Sequence, residues 1–410
     1  MLAIKTLEGG FPLHYDFDKT ADRAGSGSVK WSDSIMEGMH GRRGLLPLWV
    51  ADMDFDCAEP IMRAVAQTAS SGIFGYTYRT DDYADAVKGW FLRRHGWRIE
   101  SDWMVYSPGV VTGINAIIQE FTSPGEKVII QSPVYHPFAH SIENNGRKVL
   151  DNRLVELGGG DYGINFEDLE RKASDPLARM ILLCSPHNPV GKVWTRAELE
   201  RLGEICISNG VIVVSDEIHC DLVYEGHAHV PFSSLRKDFE GNCITCTAAG
   251  KTFNLAGLQM ANLIVSDPEK RDALVRRMEA NGIQEPTPFG LKAAIAAYSH
   301  GNEWLEQVLS YLQGNIDFMD SFFKENVPEV VFRKPDGTYL AWLDFRALGL
   351  GNEGLARMIT YEAGLALNHG YIFGEAGSGF ERLNFACSRT TLEKALLGIE
   401  KGVRQHSRGQ

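Results

Sequence analysis

Five short, almost wholly apolar runs recur through the middle of the chain: Lys127 to Gln131, Met180 to Cys184, Val211 to Ser215, Cys243 to Thr247 and Ala261 to Val265. Each is too short for a helix and has no polar face, which predicts strands of a mostly parallel sheet covered on both sides. The segments between them carry helix signals. Thr195 stands three residues ahead of Glu198 as in a capping box, Leu199, Leu202, Ile205 and Cys206 share one face, and Asn209-Gly210 marks the stop. Strand, helix, strand is the grammar of a layered α/β domain whose ligands sit at the carboxyl ends of the strands.

Outside this region the pattern changes. The first fifty residues are Gly-rich and weakly periodic, and read as an extended arm packed on something larger. After about residue 290 come long helical stretches, strand candidates at Tyr339 to Phe345 and Arg382 to Ala386, and a final helix from Thr391. The expected division is 1–50 as arm and part of a small domain, 51–290 as the large domain, and 291–410 as a small α+β domain. A chain of 410 residues suits two or three such units. Its net charge of −12 disfavours a nucleic-acid backbone or an anionic membrane as main partner. No run is apolar enough to span a bilayer, the start lacks a signal-peptide pattern, and seven scattered cysteines form no disulfide framework. A cytoplasmic protein is expected, with small-molecule chemistry favoured over adhesion.

Function is sought where the predicted strands end. Val211 to Val214 runs into Ser215-Asp216-Glu217-Ile218-His219, so acids emerge from a buried strand, where an ionised Asp needs a cationic partner. Alone, Asp216 reads as well as a helix cap or internal salt bridge. Met180 to Cys184 ends in Ser185-Pro186-His187-Asn188-Pro189, a rigid turn holding the Asn188 amide, although Asn-Pro also occurs in ordinary turns. Cys243 to Thr247 is followed by Lys251, flanked by small residues; lysine is usually a solvated surface residue, but a desolvated one becomes a nucleophile for carbonyl carbon. Ser107-Pro108-Gly109-Val110-Val111 opens an amphipathic helix whose free amides could cradle a phosphate, though it is neither a Walker motif nor GxGxxG and could be only a tight turn.

Order and spacing join these signals: Asn188, Asp216 and Lys251 follow one another at 28 and 35 residues, with Tyr135 upstream and Arg382 downstream. The arrangement resembles the fold-type I pyridoxal-phosphate enzymes of the class I/II aminotransferase superfamily, from Leu46 to the final helix. The strings LPLWVADMDF (46–55), GIFGYTYR (72–79), SPVYHPF (132–138), SPHNPVGKVW (185–194), SDEIHCDL (215–222), GKTFNLAGLQ (250–259) and RLNFACSR (382–389) narrow it to bacterial carbon–sulfur lyases of the MalY/PatB type. His219 stands where general aminotransferases usually carry Tyr.

That resemblance implies pyridoxal 5'-phosphate as cofactor, carried by Lys251, which also moves the substrate α-proton. It implies Asp216 facing the pyridine nitrogen, Asn188 with His219 near the ring 3-oxygen, Tyr135 stacked on the ring, and the Val110 and Val111 amides on the phosphate. Tyr76 is implied to reach the phosphate of a partner subunit, hence a homodimer with active sites at its interface, and Arg382 to bind the α-carboxylate of a small amino-acid substrate. Arg389 reads as structural, His187 as a satisfied strand-end residue, and the eight tryptophans as packing residues. Cys243 and Cys246 lack the second pair a zinc site needs. One departure stands out: Gly250 replaces the serine that usually precedes the lysine, leaving Thr247 or Thr252 to compensate. The implied reaction is β-elimination from cystathionine or a cysteine S-conjugate. The rivals are an aminotransferase using the same lysine and a regulator that keeps the fold with weakened chemistry.

Overall fold

A computed structural model describes residues 13–19 and 23–408. Its centre is a seven-stranded sheet made of Met104–Ser107 (β1), Lys127–Ile130 (β2), Lys148–Asp151 (β3), Ala178–Cys184 (β4), Ile212–Asp216 (β5), Cys243–Thr247 (β6) and Ala261–Ile264 (β7). The spatial order is β1-β7-β6-β5-β4-β2-β3; β7 runs antiparallel to both neighbours and the other pairs are parallel. All five predicted strands are present. The two not anticipated, β1 and β3, are the sheet's edges, where an apolar run is short or half-polar.

Strand geometry sends successive side chains to opposite faces. Met180, Leu182, Val214, Ile244 and Leu263 pack on one face with Ile114, Ile117 and Ile118 of the helix Val110–Phe121. Ile181, Leu183, Val213 and Cys243 pack on the other with Leu199, Leu202 and Cys206 of the helix Arg196–Ser208. That second helix has the predicted capping box, Glu198 N donating to Thr195 Oγ1 and Thr195 N to Glu198 Oε2, and stops before Gly210 at φ 67°. The helix Val110–Phe121 lies close to the sheet at Gly113, where a Cβ would come within 2.5 Å of Leu263.

A second, antiparallel sheet follows: Val331–Phe332 (β8), Leu340–Asp344 (β9), Asn368–His369 (β10) and Phe380–Asn384 (β11), in the order β8-β9-β11-β10. β11 begins two residues earlier than the sequence predicts, because Phe380 still pairs with Asp344 while Phe385 leaves the ladder. The last helix, Arg389–Arg408, likewise starts before Thr391. The N-terminal region is more ordered than an extended arm. Asp33–His40 is a helix capped by Ser32, and Leu46–Pro47 pairs in parallel with Leu365–Ala366. The surrounding glycines hid that cap. Among the described residues no helix is long and apolar enough to cross a membrane, and all seven cysteines are free.

Candidate active site

Register puts the chemistry at one rim. Asp216 at the end of β5 pairs with Cys184 at the end of β4 and with Cys246 near the end of β6. The residues that follow those strands therefore converge. They line a cavity of about 450 Å³ that includes Val110, Val111, Tyr135, Asn188, Asp216, His219, Lys251 and Arg382. Eight of the nine residues singled out from the sequence thus share one space. Tyr76 does not reach it: its side chain is fully exposed on the segment 72–80, which is anchored by Phe74 stacked on Phe289 and by Arg79 bonded to the Met104 carbonyl.

Several cavity groups are buried without the partners their chemistry asks for. Asp216 is 5% exposed and pairs with no cation among the described residues, accepting only the Ile218 N–H at 3.2 Å. Burial pushes its pKa up to about 7, against the pull of that N–H and of Lys251. Arg382 is equally buried; its guanidinium donates to Asn188 Oδ1 (3.1 Å), the Trp49 carbonyl (2.9 Å) and Asn368 Oδ1, all neutral, and its Nε has no partner. Burial lowers its pKa to about 10. Lys251 Nζ donates to the Ala51 carbonyl at 2.5 Å, and burial, then the Arg382 charge, bring its pKa down to about 8 despite Asp52 and Asp216. His219 sits edge-on to Tyr339 with Nδ1 unpaired, and burial, then Lys251 and Arg382, hold its pKa well below the ordinary histidine value, so the ring is neutral. The helix Val110–Phe121 opens at the cavity behind Gly109 with no side-chain cap, leaving its first amides for an anion.

Both prolines of the Ser185–Pro189 turn follow cis bonds, and the Asn188 carbonyl accepts the Tyr135 N–H at 3.0 Å, tying the amide to the aromatic. His187 Nε2–H donates to the Pro133 carbonyl at 2.9 Å outside the cavity, while its buried Nδ1 has no partner among the described residues, so the ring is only half satisfied; Arg389 binds Asn315 and lies over Phe318.

Sequence reading missed the working part of WVADMDF. Trp49 is not a packing residue only; it lines the cavity with Val50 and Ala51. The segment acts through its carbonyls: Trp49 O meets Arg382, and Ala51 O meets both Lys251 and the Tyr339 hydroxyl. Asn254, at φ 59°, clamps Met53 and Phe55, and Asn384 clamps Val50 and Asp52. Asp52 and Asp54 turn away to Arg23 and the fully buried Lys30. Asn368, cross-strand from Arg382, and His136, beside Tyr135, also line the cavity. Only the sheet register reveals the first, and adjacency to a motif aromatic was the available signal for the second.

The aminotransferase class I and II profile matches residues 43–399, which span this whole arrangement. The chain belongs to the aminotransferase class I and II family. Within that family this member is 44% identical over 388 residues to cystathionine beta-lyase PatB of Bacillus subtilis, covering 95% of this chain and 100% of the relative. It is 35% identical over 392 residues to the protein MalY of Escherichia coli, covering 95% and 99%. Cystalysin from Treponema denticola, solved with a pyridoxal 5'-phosphate cofactor, superposes with a TM-score of 0.93 at 35% identity, covering 96% of this chain and all of that one. A pyridoxal-phosphate-bound aminotransferase-like protein from Clostridium difficile also reaches 0.93, at 43% identity over 95% of this chain and all of that one. The fold of this family member is therefore the fold-type I architecture read from its strand ends.

Proposed function

We propose that the protein is a pyridoxal 5'-phosphate-dependent carbon–sulfur lyase acting by β-elimination on cystathionine or a related cysteine S-conjugate, with release of a thiol, pyruvate and ammonia. The carrying observation is a set of buried groups around one cavity that lack a counter-ion among the described residues: an acid, a lysine and a guanidinium, together with an uncapped helix start. They fit this cofactor group by group. Asp216 would meet a protonated ring nitrogen, the Val110 and Val111 amides would hold the phosphate, and Tyr135 would offer its ring face. The Asn188 amide and neutral His219 would hold the ring oxygen. When bound, the cofactor supplies an electron sink for the carbanion left at the substrate α-carbon.

The chain's own residues supply the rest. Lys251, with its pKa lowered toward neutrality, loses its proton readily; its amine would hold the cofactor covalently and, once released by the substrate amine, would take the α-proton. Arg382, held by Asn188 and Asn368 in a fixed orientation, presents its fork to the α-carboxylate. Asp216, already costly to ionise, gains its missing cation on binding. The full exposure of Tyr76 beside Ile73 and Phe74 supports a homodimer in which this segment completes the other subunit's site. The free cysteines support a reducing, cytoplasmic setting. We divide the chain as 1–50, 51–290 and 291–410, a division supported by the two separate sheets.

The family also supports an aminotransferase reading, which uses the same lysine. Incubation with cystathionine and no keto acid separates the two. Stoichiometric pyruvate and thiol are expected; conversion of the cofactor to its amino form without either product would overturn the lyase.

A further inference from the structure

Outside the cavity lining, two buried carboxylates are joined through a pair of histidines, Glu217 next to Asp216 in sequence and Asp221 bonded to Thr252, the neighbour of Lys251. Asp221 is 4% exposed and accepts from Trp90 Nε1 at 3.0 Å, His95 Nε2 at 2.9 Å and Thr252 Oγ1 at 2.8 Å. Glu217 is fully buried and accepts from Ser215 Oγ at 2.8 Å and Phe232 N at 2.9 Å, with His229 Nε2 at 2.9 Å. The two histidines meet edge to face, ring centroids 5.4 Å apart. The array is an arch whose feet are Glu217, next to Asp216, and Thr252, next to Lys251.

His95 and Asp221 lie close enough to the buried thiol of Cys220 to suggest a metal site. The Asp221 oxygens, however, are already occupied by the indole and hydroxyl donors, so the cluster is a hydrogen-bonded brace. Burial raises the Asp221 pKa, but the contacts of His95 and Thr252 outweigh it and the carboxyl is held below its ordinary value. Arg94, Cys220 and Tyr298 are the other titratable groups that feel it. The consequence for Lys251 is mechanical. Ala249–Thr252 is a single turn of helix with no side-chain cap at its start, so little within it fixes the direction of the lysine. The Thr252 hydroxyl, pulled by Asp221, supplies that constraint from the opposite side of the turn. It also removes Thr252 as a replacement for the missing serine, since its hydroxyl is committed away from the cavity.

We propose that Asp221 and Thr252 are positioning residues that orient Lys251 toward the cavity, with His95 and Trp90 fixing Asp221. This rests on Lys251 being the cofactor-bearing residue, as read above, but its first test does not. In the full-length chain stripped of cofactor, the pH dependence of Lys251 reductive methylation, followed by mass spectrometry, reports the environment of the amine. In Thr252→Val the midpoint is expected to rise by about one pH unit as the amine moves toward solvent. In the loaded protein, cofactor is expected to be lost about tenfold faster on dialysis, the order of one lost hydrogen bond to a charged group. Thr252→Ser should match the native protein in both readouts. Asp221→Asn, which keeps the volume, should shift both in the direction of Thr252→Val and carries the test if the valine variant does not fold. An unchanged midpoint in the variants, or a serine variant displaced as far as the valine one, overturns the proposal. Failure of the native chain to retain pyridoxal phosphate counts against the functional reading alone, because the methylation midpoint still decides the positioning role.

Discussion

Arg382 separates function from stability, and Arg382→Met exposes the separation. The guanidinium is buried with three hydrogen bonds, none to a carboxylate. Burial moves its pKa from 12.5 to about 10. At about 1.4 kcal/mol per unit this is roughly 3 kcal/mol against the charged folded form. The folded pKa lies below the unfolded one, so the penalty is fully present at neutral pH and fades only between about 10 and 12.5. Three hydrogen bonds from the charged guanidinium to neutral acceptors return roughly 1.5 kcal/mol each. The two effects largely cancel, and an unbranched apolar side chain of similar length refills the volume. Unfolding of the cofactor-free variant in urea at pH 7 should therefore shift by no more than about 1.5 kcal/mol, whereas breaking a paired buried ion costs about 3–5 kcal/mol. Catalysis should not be spared. Loss of a bidentate, desolvated contact to the substrate carboxylate is worth on the order of 3–5 kcal/mol, or a fall of roughly 10² to 10⁴ in kcat/KM, carried mainly by KM because the carboxylate does not react. With the decarboxylated amine analogue the two proteins should be equally slow. A stability loss beyond about 3 kcal/mol, or an unchanged preference for the acid over the amine, would refute the reasoning.

Three further outcomes follow from the same geometry. A Cβ at Gly250 meets only the Ala256 backbone, at an ordinary 3.4 Å, so Gly250→Ser should be tolerated, gain a few tenths of a kcal/mol from helix propensity, and retain pyridoxal phosphate several-fold longer on dialysis. Asp216, raised from 3.8 to about 7, keeps a proton in the folded chain that the unfolded chain has released between those values, so native stability falls as pH rises through that window. Cofactor-free Asp216→Asn should accordingly be more stable than the native protein at pH 8 by up to about 4 kcal/mol and show no advantage at pH 4, measured by urea unfolding. Mixing Tyr76→Ala with Lys251→Ala, each inactive alone, should restore up to about a quarter of native activity by forming hybrid dimers with one intact site, and sedimentation should show a dimer throughout.

The sheet was legible where its strands are sealed on both faces, because an uninterrupted run such as Met180 to Cys184 admits no solvent-facing alternative. β3 escaped notice because it is not under that constraint, Lys148 to Asp151 being part-exposed along its length, whereas β1, Met104 to Ser107, is buried throughout but is only four residues long and ends in Tyr106 and Ser107. Site residues that act through side chains at strand ends were legible from residue type and order. Those that act through the backbone were not. Nothing in the letters Trp49 and Ala51 announces a carbonyl aimed at Arg382 or Lys251, and Asn368 became visible only when the ladder set it opposite Arg382. The helix at Asp33–His40 was hidden for a local reason, since one Ser-Asp cap among several glycines carries little signal.

WVADMDF shows how one short segment reconciles these opposed demands. Its carboxylates, the part-exposed Asp52 and the buried Asp54, point to Arg23 and Lys30 and are compensated by direct ion pairs at 2.8 and 2.7 Å. Its carbonyls point the other way and hold Arg382 and Lys251 as neutral acceptors, orienting both cations without cancelling their charge. Had the same segment offered a carboxylate to Arg382, the guanidinium would be stable and already satisfied, and an incoming α-carboxylate would have to displace it. A carbonyl avoids that competition at the cost of leaving the cation partly uncompensated. Exchange of acid and carbonyl roles by a one-residue slip of this segment would therefore damage binding more than folding. The two asparagine clamps, Asn254 and Asn384, bond its backbone from both sides and fix that register.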